Sequence, residues 1–116
     1  MNWQVEFHDD FLVEFTSFEN EVQDAIFIRI ALLSEFGFNL GRPYVDTLVA
    51  SNYSNMKELR FDVSNGVWRV AFAFDPKRKA ILLIAGNKKG LDKKRFYRDL
   101  IEKADQRFAS HLKQLK

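Results

Sequence analysis

Apolar and polar residues alternate in several short stretches of the chain, the pattern of strands with one buried face. Residues 3–7 show this alternation and predict a first strand. Residues 56–61 and 67–74 show it again on either side of a turn-forming stretch, which predicts a β-hairpin. Residues 80–85 are an unbroken apolar run and predict an interior strand covered on both faces.

Other apolar residues recur at the three- and four-residue spacing of helices. Phenylalanines between residues 11 and 18 share one face of a short first helix, which Asp9 or Asp10 would cap. Thr16 and Glu19 form a possible capping box for a second helix, and Gly37 ends the apolar pattern. The sequence therefore predicts two consecutive helices after the first strand.

The end of the chain is an amphipathic helix that begins at Lys93, whereas residues 38–55 are rich in turn residues and predict a loop. The predicted order of elements is β-α-α-β-β-β-α. This order is typical of an α+β domain with a mostly antiparallel sheet and helices packed on one face. We expect residues 1–116 to form this single domain.

Composition narrows the possible chemistry. The chain has 116 residues, no cysteine and two histidines. Disulfides, thiolate metal sites and cysteine nucleophiles are therefore excluded, and we expect no metal and no cofactor. The sequence has no apolar run of about 18 residues, so we expect a cytoplasmic protein that does not contact a membrane.

The charges are divided unequally along the chain. Residues 1–55 contain two basic and nine acidic residues, whereas residues 56–116 contain sixteen basic and seven acidic ones. A basic half of this kind points to a polyanionic partner. The alternative is that the two halves interleave in space and neutralise each other.

Three charged residues of the predicted hairpin fall on one face. If Leu59 and Phe61 face the core, Glu58, Arg60 and Arg69 project together from the opposite, exposed face. Arginine offers a planar fork of donors that suits phosphate oxygens, so this face is a candidate phosphodiester site. The alternative, favoured by spacing alone, is a cross-strand ion pair.

Lysines stand at the ends of the predicted strands, with Lys57 beside the loop and Lys88 and Lys89 after residues 80–85. A lysine acts as a base only when its pKa falls well below about 10.4, and crowding by other cations lowers it. The alternative is that each lysine is solvated. Tyr97 lies on the apolar arc of the last helix, from which its hydroxyl could reach the sheet or its ring a base.

The remaining polar candidates have simpler interpretations. Lys77, Arg78 and Lys79 form a turn that either solubilises the protein or grips a nucleic acid backbone. His111 lies inside the apolar arc of the last helix and is predicted to be a packed, hydrogen-bonded histidine. His8 ends the first strand and is predicted to be a junction residue.

Several motifs in this order resemble one family. They are Asn-Met-Lys-Glu-Leu-Arg-Phe at 55–61, Val-Trp-Arg-Val-Ala-Phe at 67–72, the apolar strand and lysine-rich loop at 81–90, and Arg-Phe-Tyr at 95–97. Their order and spacing resemble the RelE/ParE superfamily of bacterial toxin–antitoxin toxins, in particular its HigB-like, phage Gp49-related branch. The resemblance covers nearly the whole chain.

The resemblance implies the toxin of a type II toxin–antitoxin system. Such a toxin is a ribosome-dependent endoribonuclease that cuts mRNA without a metal ion and is silenced by a cognate antitoxin. The RNA's own 2′-hydroxyl attacks the adjacent phosphate. The implied partners are therefore the antitoxin, the ribosome and mRNA.

The resemblance also implies roles for individual residues. Arg60 and Arg69 would bind the scissile phosphate, and Glu58 would orient an arginine or relay a proton. Tyr97 would stack on a base or donate a proton. Lys57 and Lys88 would assist as base or acid. Further cations are expected to bind RNA, namely Lys77, Arg78, Lys79, Lys89 and Arg95.

Two other functions stay open from the sequence. The ParE branch has the same scaffold but blocks DNA gyrase without cutting RNA, and a fold alone does not decide between the two activities. A nonenzymatic RNA-binding module would use the basic half for phosphates and Tyr97 for stacking.

Overall fold

A computed structural model describes residues 2–115 as an α+β fold with the predicted order of elements and one additional strand. The elements are β1 (Val5–Phe7), α1 (Asp9–Phe15), α2 (Asn20–Phe36), β2 (Val45–Thr47), β3 (Met56–Val63), β4 (Gly66–Phe74), β5 (Ala80–Asn87) and α3 (Lys93–Gln114). A single 3-10 turn, Gly37–Asn39, follows α2. Within the described residues no helix is both long and apolar enough to cross a membrane.

The five strands form one sheet in the order β1-β5-β4-β3-β2. All neighbours are antiparallel except β1 and β5, which are parallel, so the predicted mostly antiparallel sheet is confirmed. Strand β2 lies inside the stretch that was predicted to be a loop. Its three residues are too few to show alternation, and β2 is held as a strand by pairing with β3.

The helices lie on both faces of the sheet, so the prediction that they pack on one face is wrong. In β4, Val70 and Phe72 belong to the core beneath α1 and α2, whereas Ala71 and Ala73 belong to the core beneath α3. Alternate residues of a strand point to opposite faces, so the two cores lie on opposite sides of the sheet. The small alanines leave room for α3.

The helix boundaries differ from the predicted caps. His8, rather than Asp9 or Asp10, caps α1, since its Nδ1 accepts a hydrogen bond from the backbone N–H of Asp10 at 3.1 Å. The predicted capping box is absent, because the Thr16 hydroxyl donates to a carbonyl at the end of α1 and Glu19 makes no side-chain cap. The junction role predicted for His8 is confirmed.

Gly37 ends α2 as predicted, and two separate features require glycine there. Its φ angle is +54°, in the left-handed region that residues with a Cβ atom disfavour. In addition, a Cβ atom at this position would lie 2.1 Å from the indole ring of Trp3. The end of α2 is therefore in direct contact with the segment that leads into β1.

A β-bulge in β5 changes which residues face α3. The pairing of β4 with β5 shifts by one position so that Leu83 is the extra residue, and both Leu83 and Ile84 pack in the core beneath α3. Gly86 consequently also faces α3, where a Cβ atom would lie 2.8 Å from the ring of Phe96. The bulge and the glycine allow the start of α3 to pack closely on β5.

Two hydrogen-bonded pairs fasten the rest of α3. Arg107 donates from Nη1 to Glu14 Oε1 at 2.8 Å and to the carbonyl of Leu83 at 2.8 Å. His111 Nε2 lies 2.8 Å from Oδ2 of the buried Asp75, which confirms the prediction of a packed, hydrogen-bonded histidine. These contacts fix the position of α3 and of Tyr97 on its first turns.

Candidate active site

The three charged residues of the hairpin lie together on one face of the sheet, as predicted. Arg60 is directly opposite Arg69 in the pairing of β3 with β4, and Glu58 is two residues from Arg60 on the same strand. The expectation that this face is exposed is wrong, because α3 covers it. Glu58 is 3% exposed and Arg69 is 5% exposed.

The Glu58 carboxylate lies between the two guanidinium groups. Arg60 Nη1 donates to Glu58 Oε2 at 2.8 Å, and Arg69 Nε lies 3.7 Å from Glu58 Oε1. The ion pair that spacing favoured is therefore formed, with the shorter contact within β3 and the longer one across to β4. Two like charges face each other across the strands, and the carboxylate neutralises part of their repulsion.

Tyr97 reaches the same cluster from α3. Its hydroxyl accepts a hydrogen bond from Arg69 Nε at 3.2 Å, which confirms the prediction that this hydroxyl reaches the sheet. Burial raises the pKa of the Tyr97 hydroxyl, and the neighbouring Glu58 carboxylate raises this pKa further. The hydroxyl therefore stays protonated at neutral pH.

Lys88 completes the cluster from the segment after β5. Its Nζ lies 5.6 Å from the centre of the Tyr97 ring, within range of a cation–π contact. Burial lowers the pKa of Lys88, and the cations of Arg69, Lys93 and Arg60 lower it further. The crowding predicted from the sequence is thus present at Lys88.

An open cleft of about 480 Å³ lies beside these residues. Its lining contains four cations and two carboxylates, together with apolar groups: Arg42, Asp46, Thr47, Leu48, Val49, Ala50, Glu58, Arg60, Lys88, Lys93, Tyr97 and Ile101. Two of these cations, Arg42 and Lys93, were not predicted as site residues. Arg42 precedes the unpredicted β2. The signal for Lys93 was its position at the start of the amphipathic helix.

The start of α3 adds to the positive charge of the cleft. Asp92 caps the helix by accepting from the Arg95 backbone N–H at 2.9 Å, and the first turn contains Lys93, Lys94 and Arg95 without an acidic residue. Cations at the positive end of a helix dipole are unfavourable by about 0.3–1 kcal/mol each. An anion bound in the cleft would offset this repulsion.

Lys57 does not belong to the cluster. It alternates with Met56 and Glu58 along β3, so it occupies the opposite face of the sheet from Glu58 and Arg60. Arg95, although close in sequence to Lys93, lines a separate groove of about 560 Å³ on the other side of α3. Lys89 is exposed in the loop before α3.

The basic turn between β4 and β5 is also remote from the cluster, since it lies at the other end of β4 from Arg69. The Arg78 guanidinium lies over the Trp3 ring at 4.6 Å from its centre, and Lys79 Nζ pairs with Glu6 Oε2 at 3.0 Å. Arg78 and Lys79 therefore make contacts that connect the turn to the first strand. Lys77 is exposed beside them.

The chemistry available in the cleft is electrostatic stabilisation and proton transfer. Arginines and lysines can stabilise negative charge on a phosphate, and a protonated phenol and a lysine of lowered pKa can exchange protons. Among residues 2–115 no group of three or more histidines and carboxylates is placed to hold a metal ion.

Comparisons with known proteins assign the family. Residues 13–109, which include the whole cluster, match the family described as phage derived protein Gp49-like (DUF891). Two similar proteins of Mycobacterium tuberculosis are described as "Putative toxin HigB2", 44% identical over 97 residues, and "Putative toxin HigB3", 50% identical over 78 residues. The matches cover 83% and 67% of this chain, but only 48% and 66% of those proteins.

A solved structure shows the same fold. The free state of a double arginine mutant of the E. coli toxin RelE aligns with a TM-score of 0.64 at 12% identity, covering 92% of this chain and 98% of that one. At this identity the similarity concerns the fold. The chain shares its fold with RelE and its sequence is similar to those of two proteins described as HigB toxins, and the family match over residues 13–109 shows that it belongs to the Gp49-like family.

Proposed function

We propose that this chain is the toxin of a type II toxin–antitoxin system and cuts mRNA on the ribosome as a metal-independent endoribonuclease. The observation that carries the proposal is the cationic cleft, which Arg60, Lys88 and Tyr97 line around the buried Glu58, with Arg69 buried directly behind Glu58 and Tyr97. The names of the relatives in Mycobacterium tuberculosis support the toxin assignment. The proposal places the protein in the cytoplasm, where ribosomes meet mRNA.

The proposed reaction uses the RNA's own nucleophile. The 2′-oxygen forms a bond to the adjacent phosphorus, and the bond from phosphorus to the 5′-oxygen of the next nucleotide breaks. The products are a cyclic phosphate and a free 5′-hydroxyl. Arg60 stabilises the negative charge that accumulates on the phosphate oxygens from within the cleft, and the buried charge of Arg69 adds to this stabilisation from behind Glu58 and Tyr97. Glu58 lies between the two guanidiniums and holds them in position.

Two proton transfers accompany the reaction. Lys88, whose pKa is lowered by burial and by neighbouring cations, takes the proton from the 2′-hydroxyl. Tyr97, whose raised pKa keeps its hydroxyl protonated, gives a proton to the leaving 5′-oxygen. The Arg69 Nε that donates to the Tyr97 hydroxyl stabilises the phenolate formed in this step. Solvent then restores both residues to their starting states.

A cognate antitoxin is the second proposed partner, as for a toxin of this type. The surface to be neutralised is the cationic cleft and the basic first turn of α3. An acidic segment that occupies this surface would compete directly with RNA phosphates.

The proposal is tested in a cell-free translation reaction with one defined mRNA, in which new 5′ ends are mapped. We expect cuts with the wild type and a loss of about 100-fold or more with Arg60→Ala, because each transition-state donor contributes on this scale. Arg60 is preferred to Arg69 for this test, since its side chain is 23% exposed and its removal perturbs the fold less.

Arg78→Ala is the matched control, because Arg78 contacts Trp3 at the other end of β4 and should leave cleavage unchanged. A reaction without ribosomes tests ribosome dependence. Intact mRNA in the presence of folded wild-type protein would contradict the nuclease proposal. A DNA gyrase supercoiling assay on the same protein would then test the ParE-like alternative.

A further inference from the structure

We propose that the groove between the loop 48–54 and α3 is a subsite for one unpaired nucleobase next to the phosphate in the cleft. This inference rests on the proposed function and deepens it, because it names the part of the protein that distinguishes one RNA sequence from another. The groove has a volume of about 800 Å³, in the range of sites that take small organic groups.

The groove and the cationic cleft are continuous. Four residues line both of them, namely Ala50, Lys93, Tyr97 and Ile101. Lys93, Tyr97 and Ile101 are four residues apart on α3 and form a stripe along one side of the helix. An RNA chain whose phosphate lies beside Arg60 could therefore extend a base over this stripe into the groove.

The chemistry of the groove suits a base rather than a second phosphate. The Tyr97 ring, the Ile101 side chain and Ala50 provide apolar contacts at the boundary with the cleft. Stacking of a base on an aromatic ring contributes about 1–3 kcal/mol. The charges of the groove are balanced, since Asp92, Glu102 and Asp105 stand against Lys93, Lys94 and Arg98. The groove therefore lacks the excess of positive charge that distinguishes the cleft and would hold a second phosphate.

The Asp105 carboxylate holds the loop 48–54 against α3. The Ser51 hydroxyl donates to Asp105 Oδ1 at 2.5 Å, and the backbone N–H of Asn52 donates to Asp105 Oδ2 at 3.0 Å. Tyr53, the next residue, packs its ring edge-on against Phe108 of α3. Both oxygens of a single side chain thus fix a short loop against the helix, which gives the groove a defined width.

The loop 48–54 has one side chain at the groove that can distinguish bases, that of Asn52. The Asn52 side chain is exposed at the groove and makes no hydrogen bond to any other residue in the described part of the chain. An amide offers a donor and an acceptor side by side, the arrangement that pairs with the edge of a base. Asn52 is therefore the specificity-determining residue of the proposed subsite, and Asp105 is a positioning residue.

The test is a binding measurement that does not depend on cleavage. A 2′-O-methyl dinucleoside monophosphate, which lacks the nucleophilic hydroxyl, is titrated into the protein and followed by NMR at the Asn52 amide and the Tyr97 ring. Two further probes each lack one of the two bases. We expect one of these abasic probes to bind about 10-fold more weakly than the complete probe, on the scale of one stacking contact.

Asn52→Ala should reduce the difference in affinity between complete probes that carry different bases at that position, and it should leave binding of the corresponding abasic probe unchanged. Asp105→Asn should reduce the same difference, because it weakens the attachment of the loop that carries Asn52. Asn39→Ala is the matched control, since Asn39 is exposed in the 3-10 turn after α2 and should leave every affinity unchanged.

The outcomes separate the two proposals. Equal binding of the complete and both abasic probes would overturn the base subsite and leave the phosphate cleft intact. Absence of binding by all the probes would contradict the cleft and the subsite together. Base-dependent binding that responds to Asn52, combined with no cleavage during translation, would support the subsite and overturn the nuclease activity.

Discussion

The Glu58 carboxylate and the two arginines belong both to the proposed active site and to the packing of the protein. Glu58 and Arg69 are almost fully buried beneath α3. Removing one member of a buried charged pair costs about 3–5 kcal/mol, because its partner is left uncompensated. Loss of activity in a variant of Arg69 is therefore interpretable only when its unfolding is measured as well.

A variant of Tyr97 can separate the proposed catalytic contribution of this side chain from its contribution to packing. Tyr97→Phe keeps the ring that packs on Phe96 and removes only the hydroxyl that accepts from Arg69. We expect mRNA cleavage to fall by about 10²–10⁴-fold, the usual contribution of a proton donor. We expect the free energy of unfolding to change by about 0.5–1.5 kcal/mol, the contribution of one hydrogen bond.

Tyr44→Phe is the control for the Tyr97 variant, because Tyr44 is exposed near the start of β2 and lies outside the cleft lining. Cleavage rates are read from 5′-end mapping, and unfolding from urea denaturation. Cleavage by Tyr97→Phe at the rate of the wild type would exclude the phenol as the proton donor.

Asp75 is the residue from which a pH dependence of stability is expected. Burial alone would raise the pKa of this carboxyl, but hydrogen bonds from His111 and from the backbone N–H groups of Lys79 and Lys77 outweigh burial and lower the pKa. Because the folded-state pKa lies below the unfolded one, the ionised carboxylate stabilises the protein at neutral pH. This contribution is lost as the pH falls through the folded-state pKa.

Asp75→Asn should therefore destabilise the protein at pH 7 by about 1–3 kcal/mol, the cost of disrupting a buried hydrogen-bond network. Its difference from the wild type should shrink as the pH falls below about 4, where the carboxyl of the unfolded chain is protonated first, and should be smallest below the lowered folded-state pKa. Urea denaturation over a pH series measures this difference, with the exposed Asp62→Asn as the control. A difference that stays constant down to low pH would contradict the assignment.

At the scale of elements, the sequence predicted the long, regular segments correctly. Strands β3, β4 and β5 and helix α3 have strong periodicity, and their existence and order are confirmed. The three-residue β2 could not be predicted, because it is a strand only through pairing with β3. The placement of helices on both faces was also inaccessible, since amphipathicity shows that a helix has a buried face but not which side of the sheet covers it.

The candidate site was likewise predicted where it depends on local pattern and not where it depends on packing between elements. Alternation placed Glu58, Arg60 and Arg69 on one face, and helical spacing placed the Tyr97 hydroxyl within reach of the sheet. The burial of this face was not predicted because it depends on α3. The grouping of Lys88 with Lys93 depends on how the segment after β5 turns into α3, which no local pattern determines.

Three glycines near the ends of helices and strands differ in what an added Cβ atom would cost. Alanine substitutions at these positions therefore separate the cost of backbone strain from the cost of steric overlap. Gly37 combines a positive φ angle with the close Trp3 ring, Gly90 has a φ of +73° in open space, and Gly41 has neither constraint. We expect Gly37→Ala to destabilise the fold by about 2–5 kcal/mol, as the sum of backbone strain and overpacking. Gly90→Ala should cost about 1–2 kcal/mol from strain alone.

Gly41→Ala should leave the stability within about 0.5 kcal/mol of the wild type, as an unconstrained surface position. Chemical denaturation of the three variants under the same conditions gives the comparison. Equal costs at positions 37 and 90 would show that the Trp3 contact adds nothing to the requirement for glycine at the end of α2.

At the scale of the molecule, the acidic and basic halves of the sequence place their helices on opposite faces of the sheet. Helices α1 and α2 contain six carboxylates and one arginine and cover one face of the sheet. Helix α3, on the other face, contains seven lysines and arginines and three carboxylates. Apart from the pair between Arg107 of α3 and Glu14 of α1, the helical layers do not interleave their charges, so the basic layer and the cleft lie on one side, where a polyanion would be attracted.

This arrangement predicts how RNA binding depends on salt. Each phosphate contact to a single strand adds about 0.7 to the slope of log affinity against log salt concentration. Lys93→Gln should therefore reduce this slope by about 0.7 for a 2′-O-methyl RNA oligonucleotide, because Lys93 lines the cleft. Titrations at four or more salt concentrations measure it.

Lys113→Gln is the matched control for the salt dependence. Lys113 is exposed on the same helix, about 30 Å from Lys93 along the helix axis, and should leave the slope unchanged. Equal slopes for the wild type and both variants would contradict a phosphate contact at Lys93.

The bulge at Leu83 has a consequence for how β5 can vary in length. Because side chains alternate between faces in the regular part of the strand, removing one residue after the bulge, such as Ala85, would exchange the orientations of every later position. Gly86 would then point away from Phe96, and Lys88 would leave the strand on a different trajectory. Removing Leu83 itself would instead restore regular pairing, with Ile84 still opposite Ala71 and Gly86 still facing α3. Homologous proteins should therefore tolerate loss of the bulge residue more readily than a single-residue deletion after it.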